Sequence, residues 1–271
     1  MKHIVLTLLI ITGFTSFAQK TEYATQTDVK YYEEAVYKND SYASERCVLD
    51  IYYPKNTKNF ATIIWFHGGG LTQGSKETPE ALKEKGYCVI GVGYRLSPKV
   101  KVVNCIEDSA AAIAWVFNNI KKYGGDPGKI FISGHSAGGY LTMMSVLDKN
   151  YLEKYNIDAN KVAGLIPFSG QCITHFTVRQ ERGIKDTQAI VDEFAPLYYT
   201  RADAPPLLLI TGDREMEMLG RYEENAYMAR MMKISGHKET KLYEIDGYGH
   251  NMTYPAFPLL LNEMKRILDK Q

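Results

Sequence analysis

Four short segments carry side chains that could do chemistry together. The first, Gly134-His135-Ser136-Ala137-Gly138-Gly139, holds the pattern G-x-S-x-G centred on Ser136. Lys129 to Ser133 before it reads as a short buried strand, and Tyr140 to Leu147 after it reads as a helix. Strand, tight turn and helix are the context that gives the pattern meaning. The sharp turn requires small residues two before and two after the serine, and Gly134 and Gly138 supply them. The hydroxyl then stands at a helix N-terminus, where amides and dipole favour developing negative charge. A serine hydroxyl is a weak nucleophile at neutral pH and needs a base. His250, in Gly247-Tyr248-Gly249-His250, is placed to be that base. An imidazole base needs a carboxylate to fix its tautomer, and Asp213, in Gly212-Asp213-Arg214-Glu215, is the first choice. The fourth segment, His67-Gly68-Gly69-Gly70, offers the amides of Gly69 and Gly70, which with Ala137 could stabilise the oxyanion of a tetrahedral intermediate. The chemistry implied is acyl transfer. Removing one oxyanion donor costs on the order of a hundredfold or more in rate.

These segments must be brought together by the elements around them. Apolar strands are expected at Cys47–Pro54, Ala61–Phe66, Cys88–Val92, Lys129–Ser133, Val162–Phe168, Pro206–Thr211 and Lys241–Ile245. A short helix is expected at Pro79–Lys85, with longer amphipathic helices at Glu107–Lys122, Tyr222–Ser235 and Phe257–Lys270. Strands alternating with helices imply a largely parallel sheet covered by helices on both faces. In such sheets sites form beyond the carboxyl ends of the strands, and all four segments fall at strand ends. Thr21 to Tyr42 is polar and tyrosine-rich, without clear periodicity.

Other polar residues have plainer readings. His67 is expected to brace the oxyanion loop, and His135 to pack or hydrogen-bond within the elbow. His237 reads as a solvated turn. Asp108 and Arg95 read as structural, the arginine anchoring a loop by ion pairing.

Composition bounds the remaining possibilities. The chain has 271 residues and a net charge of +1 with no basic block, so no nucleic-acid surface is expected. No linker or repeat interrupts it, and one domain, 19–271, is the economical reading. Residues 1–18 read as a secretory signal peptide: a short polar start, an apolar run from Ile4 to Phe17, and small residues before a cut after Ala18. The run is too short to span a bilayer, so an exported protein, periplasmic or secreted and without a membrane segment after cleavage, is expected. Export permits disulfides among Cys47, Cys88, Cys105 and Cys172, with three full pairings open, although Cys88 lies in an apolar strand that suits a buried thiol. The cysteine spacings fit no zinc pattern, and neither a metal nor an organic cofactor is called for.

With these pieces in order, the chain resembles the α/β-hydrolase superfamily, and within it the HGGG-bearing serine esterases related to hormone-sensitive lipase and to small secreted carbohydrate esterases. Gly93-Tyr94-Arg95-Leu96, Tyr123-Gly124-Gly125-Asp126-Pro127 and Asp203-Ala204-Pro205-Pro206 join the four segments above in carrying the resemblance, which covers Leu49 to the C-terminus. It implies an α/β-hydrolase fold in a single domain, a serine esterase activity, and a triad in the order Ser136, Asp213, His250. The chain departs from the pattern by lacking a long N-terminal helical cap. It also reads Gly-Asp-Arg-Glu at the acid, which leaves Glu215 and Glu217 as rivals to Asp213.

Residues 170–200 are the expected lid or pocket wall, with a helix over Thr187–Phe194 and with His175, Phe176 and Tyr199 as substrate-facing candidates. No long apolar lid is present. A small-molecule or polysaccharide ester is the expected partner: short-acyl or aryl esters such as acetylated or feruloylated carbohydrate.

Overall fold

The computed structural model describes residues 21–218 and 220–270; the expected signal peptide lies outside the described residues. Eight strands form one sheet: β1 (Tyr23–Lys30), β2 (Val48–Pro54), β3 (Phe60–Phe66), β4 (Cys88–Val92), β5 (Gly125–His135), β6 (Gly164–Phe168), β7 (Leu207–Gly212) and β8 (Thr240–Ile245). Their order is β1-β2-β4-β3-β5-β6-β7-β8. β1 and β2 run antiparallel to their neighbours, and all pairs from β4 to β8 are parallel. The helices are α1 (Glu34–Asn39), α2 (Ser41–Arg46), α3 (Val102–Tyr123), α4 (Ala137–Leu147), α5 (Lys149–Glu153), α6 (Phe176–Glu181), α7 (Arg221–Ile234) and α8 (Thr253–Leu268). This is the α/β-hydrolase fold.

The central strands are buried on both faces, which is why their sequences run continuously apolar. Successive residues serve two separate cores. Ile64, Phe66, Ile130, Ile132 and Leu209 pack with α3, α4 and α7 on one face. Ile63, Trp65, Phe131, Leu208 and Ile210 pack with α8 on the other. Gly124 ends α3 at φ 100°, the left-handed geometry of a helix C-cap, donating to the carbonyls of Ile120 and Lys121.

Three expectations about elements differ from the structure. The tyrosine-rich stretch after residue 21 forms β1, α1 and α2. Asp40 caps α2 by accepting from the amides of Tyr42 and Ala43. Thr187–Phe194 forms no helix; the helix of that segment is α6, begun earlier. His237 is buried, bonded to Thr240 Oγ1 at 2.6 Å and to the Ala204 carbonyl at 2.9 Å. All four cysteines are free and buried. Arg95 and Asp108 are structural as expected, and they hold each other. The guanidinium donates to both Asp108 oxygens, at 2.9 and 2.6 Å, and reaches Asp40 at 2.8 Å.

Candidate active site

β5 delivers Ser136 to the carboxyl edge of the sheet. There the backbone turns at φ 56° and ψ −113°, a conformation costing about 1–3 kcal/mol that a serine holds only when its surroundings impose it. The two flanking glycines are obligatory for contact reasons. A Cβ on Gly138 would lie 1.9 Å from the Phe66 carbonyl oxygen, and one on Gly134 2.6 Å from the same atom. The Ser136 amide donates to the Phe168 carbonyl at 2.8 Å, locking the turn to β6.

The loop after β3 lies beside this elbow; a Cβ on Gly68 would sit 3.6 Å from that of Ser136. Gly69 and Gly70 turn with φ of 111° and 63°. The Gly69 carbonyl accepts from Thr72 and Gln73, tightening the turn. The amides of Gly69, Gly70 and Ala137 have no acceptor among the described residues, so three donors stay available near Ser136. His67 braces the loop as expected. It stacks on Tyr94 at 4.3 Å, and its Nδ1 lies 2.7 Å from the Gly68 carbonyl. Burial pushes it down to about 4, so it is neutral at physiological pH.

His250 follows β8 on the opposite side of the elbow. Its Nδ1 lies 3.0 Å from Oε2 and 3.3 Å from Oε1 of Glu217, and 3.1 Å from Oγ of Ser169. The Ser169 hydroxyl donates to Glu217 Oε1 at 2.5 Å. Glu217 has no solvent-exposed side-chain surface, whereas His250 keeps 23% of its own. Burial works to raise the Glu217 carboxyl, but hydrogen bonds from His250 and Ser169 and the imidazole charge outweigh it and hold it at about 2. An ionised acceptor at Nδ1 fixes the proton there and leaves Nε2 free to accept one.

The carboxylate against the histidine is therefore Glu217 and not the first-choice Asp213. Asp213 caps the neighbouring turns instead, accepting from the amides of Gly247 at 3.0 Å and Glu215 at 2.9 Å. Those bonds lower its carboxyl below the ordinary range while leaving it in solvent. The loop after β7 doubles back between the two residues, so the acid arrives four positions later than the strand end suggested.

Two residues complete the frame. His135 Nε2 lies 2.8 Å from the His250 carbonyl, and the two rings are 4.7 Å apart. Burial, then the neighbouring His250, push His135 down to about 4, so its neutral ring donates to that carbonyl and ties the base loop to the elbow. Ser169, just past β6, also adopts a positive φ of 48°, and the buried guanidinium of Arg221 donates to its carbonyl. Sequence reading passed over Ser169; the available signal was its place directly after a central strand, where the other site segments also lie.

The wall segment divides. Phe176 is partly exposed and touches the oxyanion loop, its ring 3.0 Å from where a Cβ on Gly70 would be. His175 is 1% exposed and does not face a substrate. It caps α6 through Nδ1 and packs between Tyr140 and Phe176. Tyr199 also lies elsewhere: its hydroxyl donates to the Glu193 carbonyl at 3.0 Å and lies near Asp148, which closes α4, while Ser136 opens that helix about 18 Å away. The burial of His175 went unread because pocket-facing and core-facing aromatics look alike in sequence. Among the described residues no cluster of three or more His, Cys, Asp or Glu is arranged to hold a metal ion, and no helix is long and apolar enough to cross a membrane.

Residues 49–219 match the family model described as BD-FAE. A probable carboxylic ester hydrolase, LipM of Mycobacterium tuberculosis, is 30% identical over 192 residues, covering 62% of this chain and 44% of that protein. Esterase LipC of the same organism is 24% identical over 254 residues, covering 81% and 62%. The chain thus spans about half the length of these curated relatives. A truncated carbohydrate esterase from gut microbiota superposes with a TM-score of 0.69 at 19% identity, covering 93% of this chain and 98% of that one, a likeness of fold.

Proposed function

The chain belongs to the BD-FAE family, and on that premise we propose that it is an exported serine carboxylic-ester hydrolase working through an acyl-enzyme. One observation carries the reading: His250 is fixed at Nδ1 by a buried, ionised Glu217. The names of LipM and LipC as ester hydrolases support it.

Each step is assigned to one of these groups. His250 Nε2 takes the Ser136 proton as Oγ attacks the ester carbonyl, and the resulting imidazolium is stabilised by Glu217. The carbonyl electron pair moves onto oxygen, where the amides of Gly69, Gly70 and Ala137 receive the charge. As the intermediate collapses, the C–O bond to the alcohol breaks, and His250 gives its proton to the departing oxygen. Water, deprotonated by the same imidazole, then attacks the acyl-enzyme and releases the acid. Asp213 takes no part.

Because His250 protonates the leaving group, the alcohol must lie on its side of the site. Tyr248 and Met216 there are 49% and 56% exposed. An open, aromatic-bearing rim suits a bulky alcohol, which favours acetylated or feruloylated carbohydrate over small free esters. The apolar run before Ala18 supports export. Release of acetate or ferulate from decorated xylan by the wild type, lost in Ser136→Ala, tests the reading. Hydrolysis confined to simple short-chain esters would contradict the carbohydrate assignment.

A further inference from the structure

The wall facing away from His250 is as fixed as the His250 side is open. In the sheet order, β3 and its oxyanion loop flank β5 on one side, and β6, β7 and β8 lie on the other. A tetrahedral carbon on Ser136 directs one substituent to the oxyanion amides and the alcohol to His250. Its acyl chain must take the remaining direction, toward what covers the oxyanion loop. That cover is α6. Phe176 packs on Gly70, and the Thr177 hydroxyl donates to the Gly70 carbonyl at 2.6 Å.

The cover is held from several directions. The rings of Phe176 and His175 lie 4.3 Å apart, and those of His175 and Tyr140 4.8 Å apart. Tyr140 is fully buried in α4, with its hydroxyl bonded to the Phe194 carbonyl at 2.8 Å. Gln171 Oε1 accepts from the Phe176 amide at 3.0 Å. At the other end of α6, Glu181 Oε1 accepts from Ser97 Oγ and the Val102 amide, both at 3.0 Å. An aromatic stack pinned at both ends cannot move aside for a long acyl group without breaking buried contacts.

We propose that Phe176 is the specificity-determining wall of the acyl pocket, and that the site is built for acetyl-sized acyl groups and not for hydroxycinnamoyl ones. This rests on the esterase reading above. A large alcohol and a small acid are the two halves of an acetylated polysaccharide, so the closed wall and the open rim select the same substrate class.

The test is kcat/KM on para-nitrophenyl acetate, butyrate and octanoate and on methyl ferulate, for the wild type, Phe176→Ala and Phe176→Leu. The wild type is expected to favour acetate over butyrate by about tenfold or more, the scale at which a pocket resolves small differences in chain length. That ratio should fall about tenfold in Phe176→Ala and less in Phe176→Leu. Phosphonylation of Ser136 by a small methylphosphonate shows that each variant retains its site, and if the alanine variant does not fold, the leucine variant decides. A wild type that cleaves ferulate as fast as acetate, or variants that keep the wild-type ratio, would overturn the proposal. Failure of the wild type to cleave any ester or to label at Ser136 overturns the esterase reading itself, a different result.

Discussion

Oε2 of Glu217 lies 3.0 Å from Nδ1 of His250, while Asp213, at the strand end, uses its carboxylate to cap the turn at Gly247. The two acids therefore separate by experiment. Glu217→Gln is expected to lower kcat on an aryl acetate by about a thousandfold or more, the scale seen when a triad acid is neutralised. Asp213→Asn is expected to stay within a few-fold of wild type. Steady-state kinetics on purified proteins checks both, and the reverse ranking would restore Asp213.

The same carboxylate makes stability depend on pH. Glu217 titrates at about 2 in the folded protein against an ordinary 4.5. A depressed carboxyl contributes stability that is complete above the unfolded value and is lost as pH falls through the folded one. The loss should therefore lie between pH 4.5 and 2 and amount to about 3 kcal/mol. Urea midpoints across that range, compared with Glu217→Gln, measure it; the variant should show a shallower acid limb.

Gly138 faces β3 with no room for a side chain, since a Cβ would meet the Phe66 oxygen at 1.9 Å. Gly138→Ala must shift either α4 or β3. A cost of about 4 kcal/mol or more is expected, seen as a fall of roughly 10 °C in Tm for a domain of this size, together with loss of turnover.

Asp108 is fully buried and accepts from Arg95 and from the Tyr32 hydroxyl at 2.7 Å. Asp108→Ala leaves Arg95 with Asp40 as its remaining carboxylate and the Tyr32 hydroxyl without its acceptor, and should cost about 3 kcal/mol. The residue lies outside the triad frame, so at low temperature the remaining folded protein should keep its kcat. Denaturation combined with active-site titration separates the two effects.

The framework of the site was legible because its constraints are local. Gly134 and Gly138 are dictated by contacts within one turn, and the runs of β3, β5 and β7 announce strands buried on both faces. His250 is legible from its place after the last strand. The acid was not, because Asp213, Glu215 and Glu217 all follow β7 within one loop, and only the path of that loop decides which carboxylate meets the imidazole. Ser169 escaped for a related reason: a serine after a strand carries no signal until its hydroxyl is found between Glu217 and His250. β1 was hidden because, as an exposed edge strand, it lacks the apolar alternation that marks a covered one. His175 was misplaced because a helix cap, a packed ring and a substrate contact share one composition.

Activation of Ser136 as a nucleophile by His250 and Glu217 is tested by mass-spectrometric mapping of the protein after treatment with an organophosphonate. A single adduct on the peptide carrying Ser136 is expected, forming in step with loss of ester hydrolysis and much more slowly in Glu217→Gln. A folded wild-type protein that remains unlabelled, or that labels elsewhere while losing activity, would contradict it.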